Sequence, residues 1–260
     1  MGMALQKAGY RIEQIFSRTE ESAATLARSL HTSFTTDLHA LTTDADIYLF
    51  SIKDDVLSES VRIVLHRLRE SRCSAALPLL AHTAGSMSLQ VFEGYTGPYG
   101  ILYPMQTFSA GRELDFRIIP CFLEACSAEA MLRLRAVAGS ISEQLYELDS
   151  EQRRLLHVAA VFACNFSNHM YALAEELLRP VGIPFSALYS LIDETTAKVH
   201  ELSPRTAQTG PACRYDCNVM QAHLDLIQSL SGKTTLSKEQ IGLMGDLYER
   251  LSKSIHLLQK

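Results

Sequence analysis

Polar side chains that could hold a phosphorylated cofactor follow the first strand-like segment of the sequence. Residues 10–16 (YRIEQIF) alternate as a strand does, and Ser17, Arg18 and Thr19 come directly after them. In NAD-binding folds the second strand usually ends in Asp or Glu, which accepts hydrogen bonds from the ribose hydroxyls. A guanidinium between two hydroxyls suits a 2′-phosphate instead. The segment therefore predicts NADP rather than NAD; the alternative is a surface arginine beside a helix N-cap.

Two further loops follow apolar, strand-like runs. Ser51 and Lys53 follow the run at 46–51, and His82 opens the small-residue segment HTAGS at the end of the run at 77–82. The carboxyl ends of parallel strands share one edge of a sheet, where ligands bind. We therefore predict that Ser51, Lys53 and His82 contact the cofactor, although Lys53 could equally be a solvated lysine at a helix start.

A long helical segment carries polar residues within an apolar surround. Residues 155–166 (LLHVAAVFACNF) are apolar nearly all round, which predicts a buried central helix. At about 100° per residue, His157, Asn165 and Asn168 fall within an arc of roughly 80°. Buried polar groups need partners, either other helices or a ligand between the domains. We favour the ligand, with His157 as the general acid–base because histidine titrates near neutrality, and with Asn165 also lining the substrate side.

An arginine and an aspartate follow the Gly-Pro turn at 209–211 (TGP). The turn lets a helix begin near Arg214, so Arg214 and Asp216 would stand close to a helix N-terminus, which favours anions. Asp216 could serve only as a partner of the helix dipole. Grouped together, the two side chains suit an anionic substrate, and we predict that both belong to the catalytic site.

Strand-like and helix-like segments alternate from residue 10 to about 125, which is typical of a parallel sheet covered by helices. From Asp149 onward the pattern is almost exclusively helical, with segments predicted at 151–178, 185–202, 214–230 and 237–258. The sequence thus predicts an α/β Rossmann-like domain over residues 1–148 and an all-α domain over residues 149–260.

The composition excludes several classes of protein. The 260-residue chain has a formal net charge of −5 and no basic stripe, which argues against nucleic-acid binding. No apolar run reaches the roughly 18 residues of a membrane span, and no signal-peptide pattern is present. The six cysteines are dispersed without a C-x-x-C pair, as in a reduced cytoplasmic protein. A metal on Cys213, Cys217 and His223 would lack a fourth ligand, so no metal is predicted.

Six segments together carry a family resemblance: AGYRIEQIFSRT, DADIYLFSIKDD, HTAGS, YGILYPMQTF, DSEQRRLLHVAAVFACNFSNHMYALAEELL and LSPRTAQTGPACRYD. The chain resembles Rossmann-like proteins with a helical C-terminal domain of unknown function 2520. That family is similar to ketopantoate reductases, hydroxyisobutyrate dehydrogenases and deazaflavin-dependent NADP oxidoreductases. The resemblance implies an oxidoreductase with an NADP cofactor, a small-molecule substrate and a homodimer formed through the helical domain.

Two departures from the family pattern bear on activity. The expected first strand and glycine-rich loop are not seen before Met1, so we expect a truncated N-terminus and, without the pyrophosphate contact of that loop, weakened cofactor binding. The hydroxyacid dehydrogenase relatives carry a lysine four residues before an asparagine on the central helix. If that asparagine matches Asn165, then Val161 stands in the lysine position, where it can transfer no proton. A catalytically silent binding or regulatory module that acts as a dimer is therefore the alternative to an oxidoreductase.

Overall fold

The computed structural model describes residues 1–71, 76–109 and 111–259. Its contacts divide the chain into Met1–Phe162, here called the N-terminal unit, and Ala163–Lys260, here called the helical unit. The N-terminal unit has the α/β, Rossmann-like fold that the sequence predicts, and the helical unit is built from helices. The domain boundary expected between residues 148 and 149 stays a prediction.

The strands of the N-terminal unit form two sheets. A two-stranded parallel sheet pairs β1 (Gln14–Phe16) with β2 (Ser33–Thr35), a short strand that the sequence pattern missed. A five-stranded sheet follows in chain order: β3 (Ile47–Phe50), β4 (Leu79–His82), β5 (Tyr99–Pro104), β6 (Cys121–Ala125) and β7 (Leu145–Glu147). Only the β5–β6 pair is antiparallel within this sheet.

The long helices after residue 149 lie close to the four predicted segments. The N-terminal unit holds α1 (Gly2–Lys7), α2 (Glu20–Leu30), α3 (Asp54–Ser71), α4 (Ala128–Gly139) and α5 (Ser150–Ala160). The helical unit holds α6 (Ser167–Leu178), α7 (Tyr189–Glu201), α8 (Pro204–Ala207), α9 (Pro211–Arg214), α10 (Cys217–Gln228) and α11 (Lys238–Gln259). Asp149 and Gln152 form a capping box at the start of α5, where the sequence predicts a helix N-terminus.

One predicted helix is interrupted. A π-helical turn over Val161–Phe166 separates α5 from α6, so the progression of 100° per residue behind the predicted polar stripe does not hold there. The prediction that this segment is buried is also wrong for the single chain, since Leu155, Val158 and Phe162 are 68%, 53% and 65% exposed. An apolar composition predicts burial but does not say whether the covering surface comes from the same chain.

The core of the N-terminal unit lies on both faces of the five-stranded sheet. Side chains alternate across a strand, so Leu79 and Ala81 of β4 enter one cluster with Leu134 of α4. Leu80 points to the other face and joins a cluster with Leu57 of α3 and others. All four residues of β4 are buried, as expected for a central strand with helices on both sides.

The last residue of β4, His82, is part of this core. Its side chain is fully buried and its ring stacks on Phe92, with the ring centroids 5.6 Å apart. Nδ1 accepts a hydrogen bond from the backbone N–H of Ala84 (3.2 Å), and Nε2 lies 3.4 Å from the carbonyl oxygen of Ser88. Burial lowers the pKa of His82 to about 4, because the charged ring would lose its hydration.

No helix in the described ranges is both long enough and apolar enough to span a membrane.

His82 should make the protein less stable in mild acid. The pKa falls from 6.5 in the unfolded chain to about 4 in the folded one, so the unfolded state binds more protons between these values. The free energy of unfolding should therefore decrease from about pH 6.5 down to about pH 4, by at most about 3 kcal/mol from this group. We expect urea unfolding to show that the free energy of unfolding falls less with decreasing pH for His82→Gln than for the wild type. Parallel curves for the two proteins would contradict the assignment.

Candidate functional site

The carboxyl ends of β3 and β4 lie side by side. Phe50 of β3 pairs in register with His82 of β4, so the residues that follow these strands are neighbours. The Thr83 hydroxyl donates a hydrogen bond to the Ser51 hydroxyl at 3.2 Å. Lys53 is exposed just before α3. Of the three predicted cofactor residues here, Ser51 and Lys53 are accessible at the sheet edge, whereas the His82 side chain is inside the core with both ring nitrogens facing backbone partners.

The loop after β4 is tied to the start of α3. The Ser86 hydroxyl donates a hydrogen bond to the carboxylate of Asp54, the first residue of that helix. A carboxylate in the first turn of a helix is stabilised by the helix dipole. The bond holds the Thr83–Ser86 segment against the loop that contains Ser51 and Lys53.

A tyrosine and a histidine meet beside this loop. The Tyr103 hydroxyl, near the end of β5, lies 3.1 Å from Nδ1 of His157, which α5 carries. The two rings meet edge to face with centroids 6.1 Å apart. Burial raises the pKa of Tyr103, against a smaller lowering by the charge of Arg153, so the phenol keeps its proton at neutral pH. Such a pair can hold, donate or accept a proton at a defined atom.

Gly85 allows this pair to form. A Cβ at position 85 would lie 2.8 Å from Nδ1 of His157 and 3.0 Å from the Tyr103 ring. A distance under 3.0 Å requires the neighbouring atoms to move. Glycine is thus the residue that lets the loop after β4 approach the histidine ring.

A buried ion pair fixes α5 against the sheet. Arg153 is 1% exposed and pairs with Glu124 of β6, which is 15% exposed. The Arg153 guanidinium also donates to the carbonyl oxygen of Met87, and the Ser150 hydroxyl donates to Glu124 at 2.9 Å. Although adjacent arginines such as Arg153 and Arg154 are typical of a solvated helix face, Arg153 is a core residue. Position 153 lies one helical turn before His157, so the ion pair sets where that histidine stands.

The three residues predicted to bind a 2′-phosphate follow β1 as expected. The Ser17 amide donates to the carbonyl oxygen of Thr35, which fixes the turn. Thr19 is the N-cap residue of α2, and its hydroxyl donates to that of Ser22 (2.8 Å). Arg18 is exposed, and the described residues offer it no ion-pair partner.

The remaining predicted residues belong to the helical unit. Asn165 lies in the π-helical turn and is exposed. Arg214 is the last residue of α9 and exposed, rather than at the start of a helix as predicted. Asp216 caps α10, accepting a hydrogen bond from the backbone N–H of Val219 (3.2 Å), which matches the structural alternative for this residue. Between them, Tyr215 adopts a left-handed backbone (φ 55°) and stacks on His256 at 4.2 Å.

The sequence reasoning missed Tyr103 and Glu124. Tyr103 lies in the segment YGILYPMQTF, one of the six that carry the family resemblance. Its position near the end of a strand that runs parallel to β4 was the available signal, because neighbouring parallel strands end at one edge. Glu124 in an otherwise apolar strand was a signal for a buried partner, because a carboxylate is rarely buried unless paired.

Comparison with protein families gives a match over residues 119–255 to the domain of unknown function DUF2520. The matched range spans β6, β7 and most of the helical unit. A comparison with curated protein sequences found no significant match.

Solved structures give a second set of similarities. A Bacteroides fragilis protein, provisionally assigned as an NADP oxidoreductase, is 48% identical over 98% of this chain and 92% of its own, with a TM-score of 0.86. A Thermotoga maritima protein is 19% identical over 95% of both chains, with a TM-score of 0.70. An imine reductase from Myxococcus stipitatus, solved with NADP⁺, is 18% identical over 98% of this chain and 92% of its own, with a TM-score of 0.58. The last two show a shared fold.

Removing one charge of the buried Arg153–Glu124 pair should destabilise the protein far more than removing one charge of an exposed pair. Glu124→Gln leaves a buried guanidinium without its counter-charge, which should cost about 3–5 kcal/mol in the free energy of unfolding. The matched control is Glu143→Gln, which breaks the exposed pair with Arg117 (73% and 61% exposed) and should cost less than about 1 kcal/mol. Urea unfolding measures both. Equal losses in the two variants would show that the buried pair does not anchor α5.

Proposed function

Because the chain belongs to the DUF2520 family, we propose that it is an NAD(P)-dependent oxidoreductase that reduces a carbonyl or imine group of a small substrate. Its 48%-identical relative is provisionally assigned as an NADP oxidoreductase, and a more distant relative in fold is an imine reductase solved with NADP⁺. The alternative of a silent binding module has less support, since that module would not require a polar pair beside the ligand-binding edge of the sheet.

The observation that carries this proposal is the Tyr103–His157 pair. It stands next to the loop after β4, at the edge where α/β folds bind their ligands. A reductase needs a hydrogen-bond or proton donor at the heteroatom that gains charge when hydride reaches the adjacent carbon. His157 is half-buried, so it can meet a ligand while its other side is fixed by the protein.

The residues along the carboxyl edges of β1, β3 and β4 fit a nicotinamide dinucleotide. Arg18, with the hydroxyls of Ser17 and Thr19, would hold a 2′-phosphate, because its guanidinium is exposed and has no acidic partner within the described ranges. Ser51 and Lys53 would contact the ribose or phosphate groups. Gly85 keeps the loop after β4 packed against His157, since a Cβ there would lie 2.8 Å from Nδ1.

The bound nicotinamide would supply the hydride. The chain's own residues would orient the substrate and hold a donor at its heteroatom, with His157 as that donor. Asn165 and Arg214, both exposed in the helical unit, stay predictions as contacts of an anionic substrate. Asp216 would act by capping α10 and so fixing the backbone that follows Arg214.

We also propose that the helical unit associates with a second copy of the chain. Within its described residues, the buried apolar cluster is small: Ile227, Leu230, Ile241 and Met244. Many large apolar side chains of the same unit are exposed, among them Leu191 (63%), Leu226 (63%) and Leu243 (58%). Exposed apolar surface of this extent marks an association site.

A cytoplasmic location is proposed from the free, dispersed cysteines.

Arg18 should distinguish the two nicotinamide cofactors. Arg18→Ala removes a charge-assisted contact to the 2′-phosphate, so its Kd for NADPH should rise about 10- to 100-fold while its Kd for NADH stays unchanged. Fluorescence titration of the full chain measures both constants. The matched control is Arg11→Ala, an exposed arginine that pairs with Glu13 and lies before β1. If the wild type binds neither cofactor at millimolar concentration, the proposed function is wrong.

The proposed association can be measured by light scattering coupled to gel filtration. The wild type should have the mass of a dimer, and the double variant Leu226→Glu/Leu243→Glu should be a monomer, because buried charges oppose association. Leu132→Glu changes an equally exposed leucine (71%) on α4 of the N-terminal unit and should leave the dimer intact. A monomeric wild type at micromolar concentration would contradict the proposal.

A further inference from the structure

The hydrogen bond between Tyr103 and His157 has a preferred direction. A phenol is a strong donor and an imidazole nitrogen with a free lone pair is a strong acceptor, whereas the reverse pairing joins a weaker donor to a weaker acceptor. Tyr103 keeps its proton because burial raises its pKa. At 3.1 Å the phenol is therefore placed to donate to Nδ1, and a neutral ring that accepts at Nδ1 must carry its proton on Nε2.

The packing around Nδ1 supports the same direction. A Cβ built on Gly85 would fall 2.8 Å from Nδ1, so the backbone of the loop after β4 closes over that side of the ring. Among the described residues, Tyr103 is the hydrogen-bond partner that His157 has at Nδ1, and none of them bonds its Nε2. The Nδ1 edge is thus enclosed by the protein, and the Nε2 edge is left for a ligand.

The position of the His157 ring depends on contacts made one helical turn earlier on α5. Arg153, one turn earlier on α5, pairs with Glu124 and donates to the Met87 carbonyl oxygen, two residues after Gly85. One side chain therefore holds both the helix that carries His157 and the loop that packs on its ring. A shift of α5 away from Tyr103 would disturb this buried pair.

We propose that Tyr103 is a positioning residue that holds neutral His157 as the Nε2-protonated tautomer, so that Nε2–H is the group presented to the carbonyl oxygen or imine nitrogen of the substrate. The presentation of Nε2–H to a substrate rests on the proposed reductase function, whereas the tautomer of His157 does not depend on it. Tyr103 would act through His157, which alone would touch the substrate.

The tautomer can be read directly from two-bond ¹H–¹⁵N spectra of the full chain labelled with ¹⁵N-histidine. The spectra are recorded at a pH well above the ordinary histidine pKa of about 6.5, and His157→Gln identifies the signal. The wild type should show the pattern of a ring protonated on Nε2. In Tyr103→Phe the separation between the Nδ1 and Nε2 shifts should narrow toward the average of two exchanging tautomers. Tyr146→Phe, which alters a half-exposed ring stacked on Phe122, should leave the His157 pattern unchanged.

Two results would overturn the proposal. One is a wild-type ring protonated on Nδ1; the other is a Tyr103→Phe spectrum identical to that of the wild type. Gly85→Ala gives an independent check, since its Cβ should displace the ring and narrow the same separation. The spectra need neither cofactor nor substrate, so failure of the proposed reductase function would appear separately, as absent NADPH binding with the Nε2 tautomer intact.

Discussion

The buried pair between Arg153 and Glu124 is the constraint from which the arrangement of the candidate site follows. It joins α5 to β6 and, through the Met87 carbonyl oxygen, to the loop after β4. Desolvating two charges is costly, and one guanidinium nitrogen, Nε of Arg153, has no hydrogen-bond partner among the described residues. Such a pair adds little net stability over an apolar substitute. What it provides is one fixed position for a helix that carries a half-exposed histidine.

The loop between β4 and β5 connects this support to the reacting groups. Its glycine packs against His157, its Ser86 bonds to Asp54 of α3, and its Thr83 bonds to Ser51 after β3. Contacts from three elements therefore converge on one short segment at the carboxyl edge of the sheet. Ala84 of this segment is also buried in the core cluster that contains Leu57 and Leu80, so packing and hydrogen bonds hold the segment together.

The long helical segment shows that an apolar sequence pattern does not by itself predict burial within the single chain. Residues 155–166 have the composition of a buried helix, yet Leu155, Val158 and Phe162 are exposed in the single chain. An apolar composition indicates only that burial of the surface is favourable. A second copy of the chain could cover this surface as well as another part of the same chain. The small buried cluster of the helical unit is consistent with that reading.

The sequence by itself determined the alternation of strands and helices, the start of a helix near residue 150 and the location of polar residues after β1 and β3, because these depend on local periodicity and local hydrogen bonds. The family followed from motifs along the whole chain, and the truncated N-terminus stays a prediction. Only the tertiary structure decided that His82 is a core residue, that Arg153 is buried and that Tyr103 meets His157. Those facts depend on contacts between residues far apart in sequence, which no local pattern encodes, and the π-helical turn at 161–166 changed a spacing that regular geometry had assumed.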